Sequence, residues 1–544
     1  MAETLKHLQT LLLQKGYDAY LVPRADVFFG EEVRPGDERL AAISGFKGSA
    51  GLAVVRARGQ STLLLDGRYS AQAKADLEGE AWTVVQGTLE TAVPDLTGLR
   101  LAYDPWLFTP DQLRPLAHLE PAPVAEPDNL IDQIWQDRPA VPQSAPYDLP
   151  PHLTGETSQA KRQRIANACQ GRSLLITQPD SLAWLMNWRG HDLPTTPTHL
   201  AFAILNPDGE VQVFAPEDRA GLLGALDTIS ALGADSIQYD PTVTSQALGD
   251  AIAHHGDSQG VAAPCPIRAA KAVKNTAEIA AMRAAHQVDG QAVTAFLTWF
   301  AAQDKTELNE LDLSHKLAAF RAEADGYAGP SFETISGSGP NGALPHYRVD
   351  EVSNRRLQDG DFIVLDSGGQ YPGATTDVTR TLAVGTVSEV MRRNFTLVLQ
   401  GMINLTLQQF PVGTTGHQLD VLARAALWNV GLNYNHGTGH GVGAGLSVHE
   451  APPNVSPMAR TPTEDWALKP GMIFSNEPGY YQVGAYGIRC ENLLLVVERA
   501  PGWLGFETLT QVPFDETLVD WALLHPQQVE WLREYQERTR SHAM

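Results

Sequence analysis

Apolar and polar positions along this chain switch repeatedly between helical and strand spacing. Near the start, Leu5, Leu8, Leu11, Leu12 and Leu13 fall at helical steps, which predicts a helix over residues 3 to 16 with one broad apolar face. The run DAYLVP at 18 to 23 follows as a buried strand ended by proline. AVV at 53 to 55 and STLLLD at 61 to 66 predict two more strands, and Gly67, Arg68 and Tyr69 open a helix through Ala75. Strands alternating with helices argue for an α/β domain over residues 1 to 138. Pro139, Pro142, Pro146, Pro150 and Pro151 make residues 139 to 158 a predicted linker.

The pattern then repeats over residues 159 to 273. Lys161 to Gln170 reads as a helix, SLLIT at 173 to 177 as a strand, and Asp180 to Trp188 as a helix capped by Asp180 or Ser181. HLAFAIL at 199 to 205 and VQVF at 211 to 214 predict a hairpin about Pro207, Asp208 and Gly209. The shared order of helix, strand and Pro-containing turn points to a duplicated α/β domain.

A third domain is expected over residues 274 to 505. Asn275, with Glu278 three residues on, resembles a capping box before a helix to about Ala302, with Ile279, Met282, Ala285 and Val288 on one face. A second helix spans Glu310 to Ala324. From Phe332 to Val497 strands and Gly-rich turns dominate, broken by helices near 389 to 409 and 416 to 430. Residues 506 to 544 form an extension ending in a helix, Pro526 to Arg538, that packs on this domain or on a second subunit. The fold class is α/β and α+β: two α/β domains, then a catalytic domain.

Composition narrows the partners. The net charge of −23 disfavours nucleic acid and anionic membrane surfaces, which need a basic footprint. Apolar residues at 43% allow a normal core, yet no run approaches about 20 apolar residues, so no membrane span is expected. Cys169, Cys265 and Cys490 are far apart, which supports neither a disulfide framework nor a zinc knuckle. With no signal-peptide pattern at the N-terminus, the expected location is the reducing cytoplasm.

The candidate chemistry lies between Leu365 and Asn492. FIVL at 362 to 365 leads into Asp366, and Gly368, Gly369 and Gly373 permit a reversal into a strand carrying Asp377, Thr379 and Thr381 on one face. Two acids at one hairpin mouth need a cation or a shared proton, although either alone also fits a strand-end cap. Glu491, in IRCENL, enters a core strand and needs a metal or a network, with a salt bridge to Arg489 as the plainer reading. Glu477 precedes Pro478 and Gly479 and also fits an exposed turn. His440 lies in GTGHGVG, whose glycines admit a ligand or another chain segment but lack the Lys-Ser/Thr of a phosphate loop.

Four carboxylates balance two divalent ions, and one imidazole among them favours Mn²⁺, with Co²⁺ or Zn²⁺ possible. Two such ions hold a hydroxide, a nucleophile for hydrolysis. His346, His436 and His449 flank these motifs, each also readable as a structural histidine.

The order of Asp366, Asp377, His440, Glu477 and Glu491 resembles that of the pita-bread metallopeptidases, and within them the long, three-domain aminopeptidase P family. VPRAD, GDERLAAISGFKGSAG and LLDGRYSAQA resemble the first creatinase-like domain of that type, and SLAWLMNWRG the second. The resemblance implies that Asp366 binds one ion, that Asp377 and Glu491 bridge both, and that His440 and Glu477 complete the second site. It implies Glu477 as general base, His346 and His449 as contacts to the scissile carbonyl, His436 as lining for a proline pocket, and Arg489 as an orienting residue. The implied reaction is attack of a metal-bridging hydroxide on an Xaa-Pro amide, releasing the N-terminal residue of a peptide with proline second. Homodimers are implied too. The segment PPNVSPMARTPTE at 452 to 464 is longer than the resemblance leads one to expect, and could adjust access. Prolidase shares the five ligands but usually has one N-terminal domain. A non-catalytic pita-bread module, or a metal-free creatinase-like hydrolase, is expected to lack ligands that are present here.

Overall fold

The computed structural model describes residues 2–65, 77, 81–141, 144–231, 236–253, 260–457 and 466–541. The chain forms two compact units. One holds residues 1–147, 158–194 and 198–267; the other holds 148–157, 195–197 and 268–544. The Pro-rich stretch expected as a linker is thus divided between them. The helix expected from Gly67 and the 458–465 stretch of the long loop lie outside the described residues.

The first unit contains two mixed sheets. In one, Ala19–Pro23 pairs antiparallel with Leu52–Arg56 and parallel with Leu101–Tyr103. Alternation explains its double burial: Ala19 and Leu21 enter one apolar cluster, while Tyr20 and Val22 enter the other. Leu5, Leu8 and Leu12 of the helix Ala2–Lys15 pack on the second cluster. Leu13 does not join them and is 47% exposed, because a run of three leucines spans more of the helix circumference than one face can bury.

The second sheet has the same plan. Ser173–Ile176 pairs antiparallel with Phe202–Leu205 and parallel with Ile237–Tyr239, and a further strand extends each side in the same sense as in the first sheet. This is the repeat that the sequence order pointed to. The expected cap at Asp180 or Ser181 is absent: the helix Pro179–Met186 starts after Gln178, and Pro179 supplies the preset first turn.

The second unit carries the candidate chemistry. Thr276–Ala301 begins with the expected capping box, in which Asn275 accepts from Glu278 N and Glu278 accepts from Asn275 N. Met282 and Ala285, with Ile279 and Val288, pack on Ile473, Leu493 and Leu495 of a six-stranded sheet. A three-stranded antiparallel sheet joins Ile335–Ser338, Phe362–Ser367 and Val378–Ala383. Helices Glu389–Leu407 and Gly416–Trp428 cover the opposite face of the six-stranded sheet, where Leu405, Leu419 and Ala423 pack with Phe474, Leu494 and Val496. The C-terminal helix Pro526–Ser541 packs on this unit, burying Leu532 and Tyr535 against Phe395, Ile488 and Phe514. Among the described residues, no helix is long and apolar enough to cross a membrane.

Candidate metal centre

Antiparallel pairing opposes Asp366 to Thr379, so Asp366 and Asp377 sit at the same end of the pair, where the chain leaves Phe362–Ser367 and returns into Val378–Ala383. His440 is held in the short strand Gly439–Gly441. A Cβ on Gly439 would lie 1.7 Å from the Ser475 carbonyl oxygen, and one on Gly441 would lie 2.1 Å from that of Glu450. These glycines therefore admit neighbouring strands, which resolves the choice left open between a ligand and a chain segment. Glu477 follows Ile473–Asn476, the strand paired beside Gly439–Gly441 in the sheet.

IRCENL is not one continuous strand. Arg489 ends a two-stranded ribbon, Asn492 begins a strand of the six-stranded sheet, and Glu491 lies at the crossover. The crossover is held because Glu491 N donates to the Thr379 carbonyl at 3.2 Å. Arg489 does not pair with Glu491: its Nη2 donates to Asp366 Oδ2 at 2.5 Å.

Asp377, His440 and Glu491 each bring a donor atom to one point, all within 4.8 Å of one another. His440 Nε2 is 3.4 Å from Asp377 Oδ2 and 3.5 Å from Glu477 Oε1. Its Nδ1 faces the Gly441 carbonyl at 3.0 Å, which fixes the proton there and leaves Nε2 as the lone-pair donor. Glu477 is no exposed turn residue, its side chain being 19% exposed. Asp366 lies outside the tight three-residue cluster and is linked to it indirectly: Arg489 donates both to Asp366 and to Thr379 Oγ1, the hydroxyl that holds Glu491. Its Oδ1 is buried with no hydrogen-bond partner.

These acids are poorly compensated by protein alone. Burial raises the Asp366 carboxyl, partly opposed by Arg489, and raises Glu491 well above its ordinary value, reinforced by Asp377 and Asp366. Glu477 is pushed up to about 7, chiefly by burial, although His440 and Arg489 pull it down. Oxygen-rich donors, an orphaned carboxylate oxygen and acids driven toward their protonated forms suit hard divalent cations.

The flanking residues form a directional network. Arg489 Nη1 donates to the Tyr481 hydroxyl at 2.8 Å, and that hydroxyl lies 3.0 Å from His436 Nε2. His436 Nδ1 donates to the Gly437 carbonyl at 2.7 Å, so the imidazole takes one tautomer. Burial, with Arg489 nearby, lowers its pKa to about 3 and keeps it uncharged. The His449 ring meets that of His440 edge-on at 4.2 Å. His346 follows Pro345, whose carbonyl accepts from Arg489 Nη1 at 3.2 Å. Sequence reasoning missed Tyr481 and the full role of Thr379. Thr379 Oγ1 donates to Glu491 Oε2 at 2.7 Å and accepts from Arg489 Nε at 3.2 Å. Period-two spacing had already put Thr379 on the face of Asp377, and Tyr481 lies four residues after Glu477, two beyond Gly479.

A sheet-lined cluster of oxygen donors with one imidazole defines a metallohydrolase type of centre. Residues 280–498 match metallopeptidase family M24, and 502–543 match the C-terminal region of peptidase M24. Residues 4–134 and 137–278 match creatinase/prolidase N-terminal domains. A probable Xaa-Pro aminopeptidase P of Aspergillus niger is 34% identical over 98% of this chain and 94% of its own. One of Laccaria bicolor is 36% identical over 99% and 89%. The crystal structure of the X-prolyl aminopeptidase of Caenorhabditis elegans, described as a cytosolic enzyme with a di-nuclear active site, is 31% identical. It superposes with a TM-score of 0.91 over 99% of this chain and 95% of that one. The chain belongs to metallopeptidase family M24, as a pita-bread catalytic domain preceded by two creatinase-like domains.

Proposed function

We propose that this protein is a metal-dependent aminopeptidase that releases the N-terminal residue from peptides with proline in second position. The observation that carries the reading is the convergence of Asp377, His440 and Glu491, flanked by Asp366 and Glu477, in a chain whose full-length relatives are named for this activity. Those five residues are the ones to hold two divalent ions, Mn²⁺ first, given four carboxylates to one imidazole. Such ions, when bound, supply Lewis-acid polarisation of the peptide carbonyl and acidify the attacking water.

The remaining work falls to side chains. Glu477 accepts the water proton and passes it to the departing proline nitrogen. His346 and His449 donate to the carbonyl oxygen as negative charge builds on it. The Xaa-Pro amide nitrogen carries no hydrogen to be recognised, so the ring itself must be bound. Uncharged His436, beside Tyr481, is suited to that apolar ring. Arg489 orients Asp366 and Tyr481.

The domain division proposed is 1–138, 159–273 and 274–505, with an extension at 506–544. A homodimer in the cytoplasm is the proposed state. The three described cysteines are free and buried, which suits a reducing compartment.

The test is a Mn²⁺-supplemented assay of the purified protein. Arg-Pro-Pro should lose its arginine while Gly-Pro stays intact. Cleavage of Gly-Pro alone would make the protein a prolidase. Inactivity with no metal by elemental analysis would make it a non-catalytic binding module.

A further inference from the structure

One buried cation links the C-terminal helix to the candidate centre. Arg380 is 2% exposed and follows Thr379 in the strand Val378–Ala383. Its Nη1 donates to the carbonyls of Thr379 at 2.8 Å and Glu491 at 2.6 Å. Its Nη2 reaches Asn492 Oδ1 at 2.8 Å, the Val512 carbonyl at 2.6 Å and the Tyr535 hydroxyl at 3.0 Å. Its Nε donates to the Pro513 carbonyl at 3.0 Å. Among the described residues no carboxylate pairs with this guanidinium. Every acceptor is a carbonyl, amide or hydroxyl oxygen.

What this fork grips is the backbone beside a candidate ligand. Glu491 is held at its N–H by the Thr379 carbonyl, at its carboxylate by the Thr379 hydroxyl, and at its carbonyl by Arg380. Tyr535 completes the arrangement from the helix Pro526–Ser541. Its hydroxyl accepts from Arg380 and lies 2.8 Å from the Val512 carbonyl, to which it donates. Its ring stacks on Trp531, with centroids 5.0 Å apart. A planar fork with this many partners cannot swing without breaking several bonds at once. An ion ligand has to be held to within about 0.5 Å by such supports.

We propose that Arg380 and Tyr535 are positioning residues for Glu491, so that the C-terminal helix sets the affinity of the centre for divalent ions. This rests on the metal-centre reading above. Full-length protein, stripped by chelator and dialysed, is titrated with Mn²⁺ in a calorimeter as wild type, Tyr535→Phe and Trp531→Phe. Tyr535→Phe deletes the hydroxyl and keeps the ring. Trp531→Phe disturbs the same helix stack but leaves the hydroxyl on Arg380. The expected result is binding weakened about tenfold by Tyr535→Phe and within about twofold of wild type for Trp531→Phe, since outer supports of metal ligands act at this level. The two ion-free variants should melt alike. Wild-type affinity in Tyr535→Phe, or equal weakening by both variants, overturns the proposal. A wild type that binds no Mn²⁺ overturns the metal-centre reading itself, and the positioning role with it.

Discussion

Replacing Asp377 by asparagine keeps the shape of the side chain and removes its charge. An aspartate that merely caps a turn and one that belongs to a metal cluster respond oppositely. Asp377 is 4% exposed, and its donor atom lies within 4.8 Å of one on Glu491. Two ionised carboxylates at that separation repel by about 3 kcal/mol at an effective dielectric constant of about 20. Burial keeps Asp366, Glu477 and Glu491 toward their protonated forms, so at neutral pH the ion-free protein carries only part of this repulsion, and more of it as pH rises. In chelator, Asp377→Asn should therefore unfold at a slightly higher temperature than wild type, and the gap should widen toward alkaline pH. With Mn²⁺ the order should invert. Wild type at about 100 times its dissociation constant gains about 2.7 kcal/mol, whereas the variant, missing a donor shared by the cluster, gains little. Peptidase activity should fall below detection. The assay is a melting curve of both proteins with chelator and with Mn²⁺, beside hydrolysis of Arg-Pro-Pro. Equal destabilisation of the variant under both conditions, or retained activity, would refute the reasoning and return Asp377 to a structural role.

Two further outcomes follow from the same geometry. Glu477 titrates at about 7 in the ion-free fold against an ordinary 4.5. The folded state thus binds more protons than the unfolded chain between those values. Its contribution to stability is full below about 4.5 and is lost as pH rises through 7. Ions displace that proton, so calorimetric Mn²⁺ titration at pH 6 in buffers of different ionisation enthalpy should reveal release of about one proton or more; heats independent of buffer would contradict this. Arg489→Lys keeps the charge but cannot serve Asp366, Tyr481, Thr379 and the Pro345 carbonyl together. Losing one charge-assisted bond, at about 1.5–3 kcal/mol, predicts a fall in kcat/KM of roughly tenfold to a hundredfold, and a value within twofold of wild type would show that the fork orients nothing.

Local pattern determined much of this protein. The continuous apolar run at 19 to 22 required a strand buried on both faces, and Asn275 with Glu278 located the start of the long helix. The repeated order of elements anticipated two sheets of one plan. Of the five acidic and imidazole candidates, Asp377, His440 and Glu491 meet at one point, although locally the acids also fitted a cap, an exposed turn or a salt bridge. Tertiary structure decided the rest. Which acid Arg489 meets depends on the chain leaving one sheet for another at Cys490 and Glu491, and no spacing rule encodes that change of partner. Leu13 remained exposed because helix geometry, not residue type, sets how many leucines one face can bury. Arg380 acquires its role from distant groups such as Tyr535, 155 residues away along the chain, and Tyr481 from His436, 45 residues before it, together with Arg489 across the ribbon. Sequence periodicity reports the environment of a residue along its own element; the partner across the core is fixed only when the sheets close on one another.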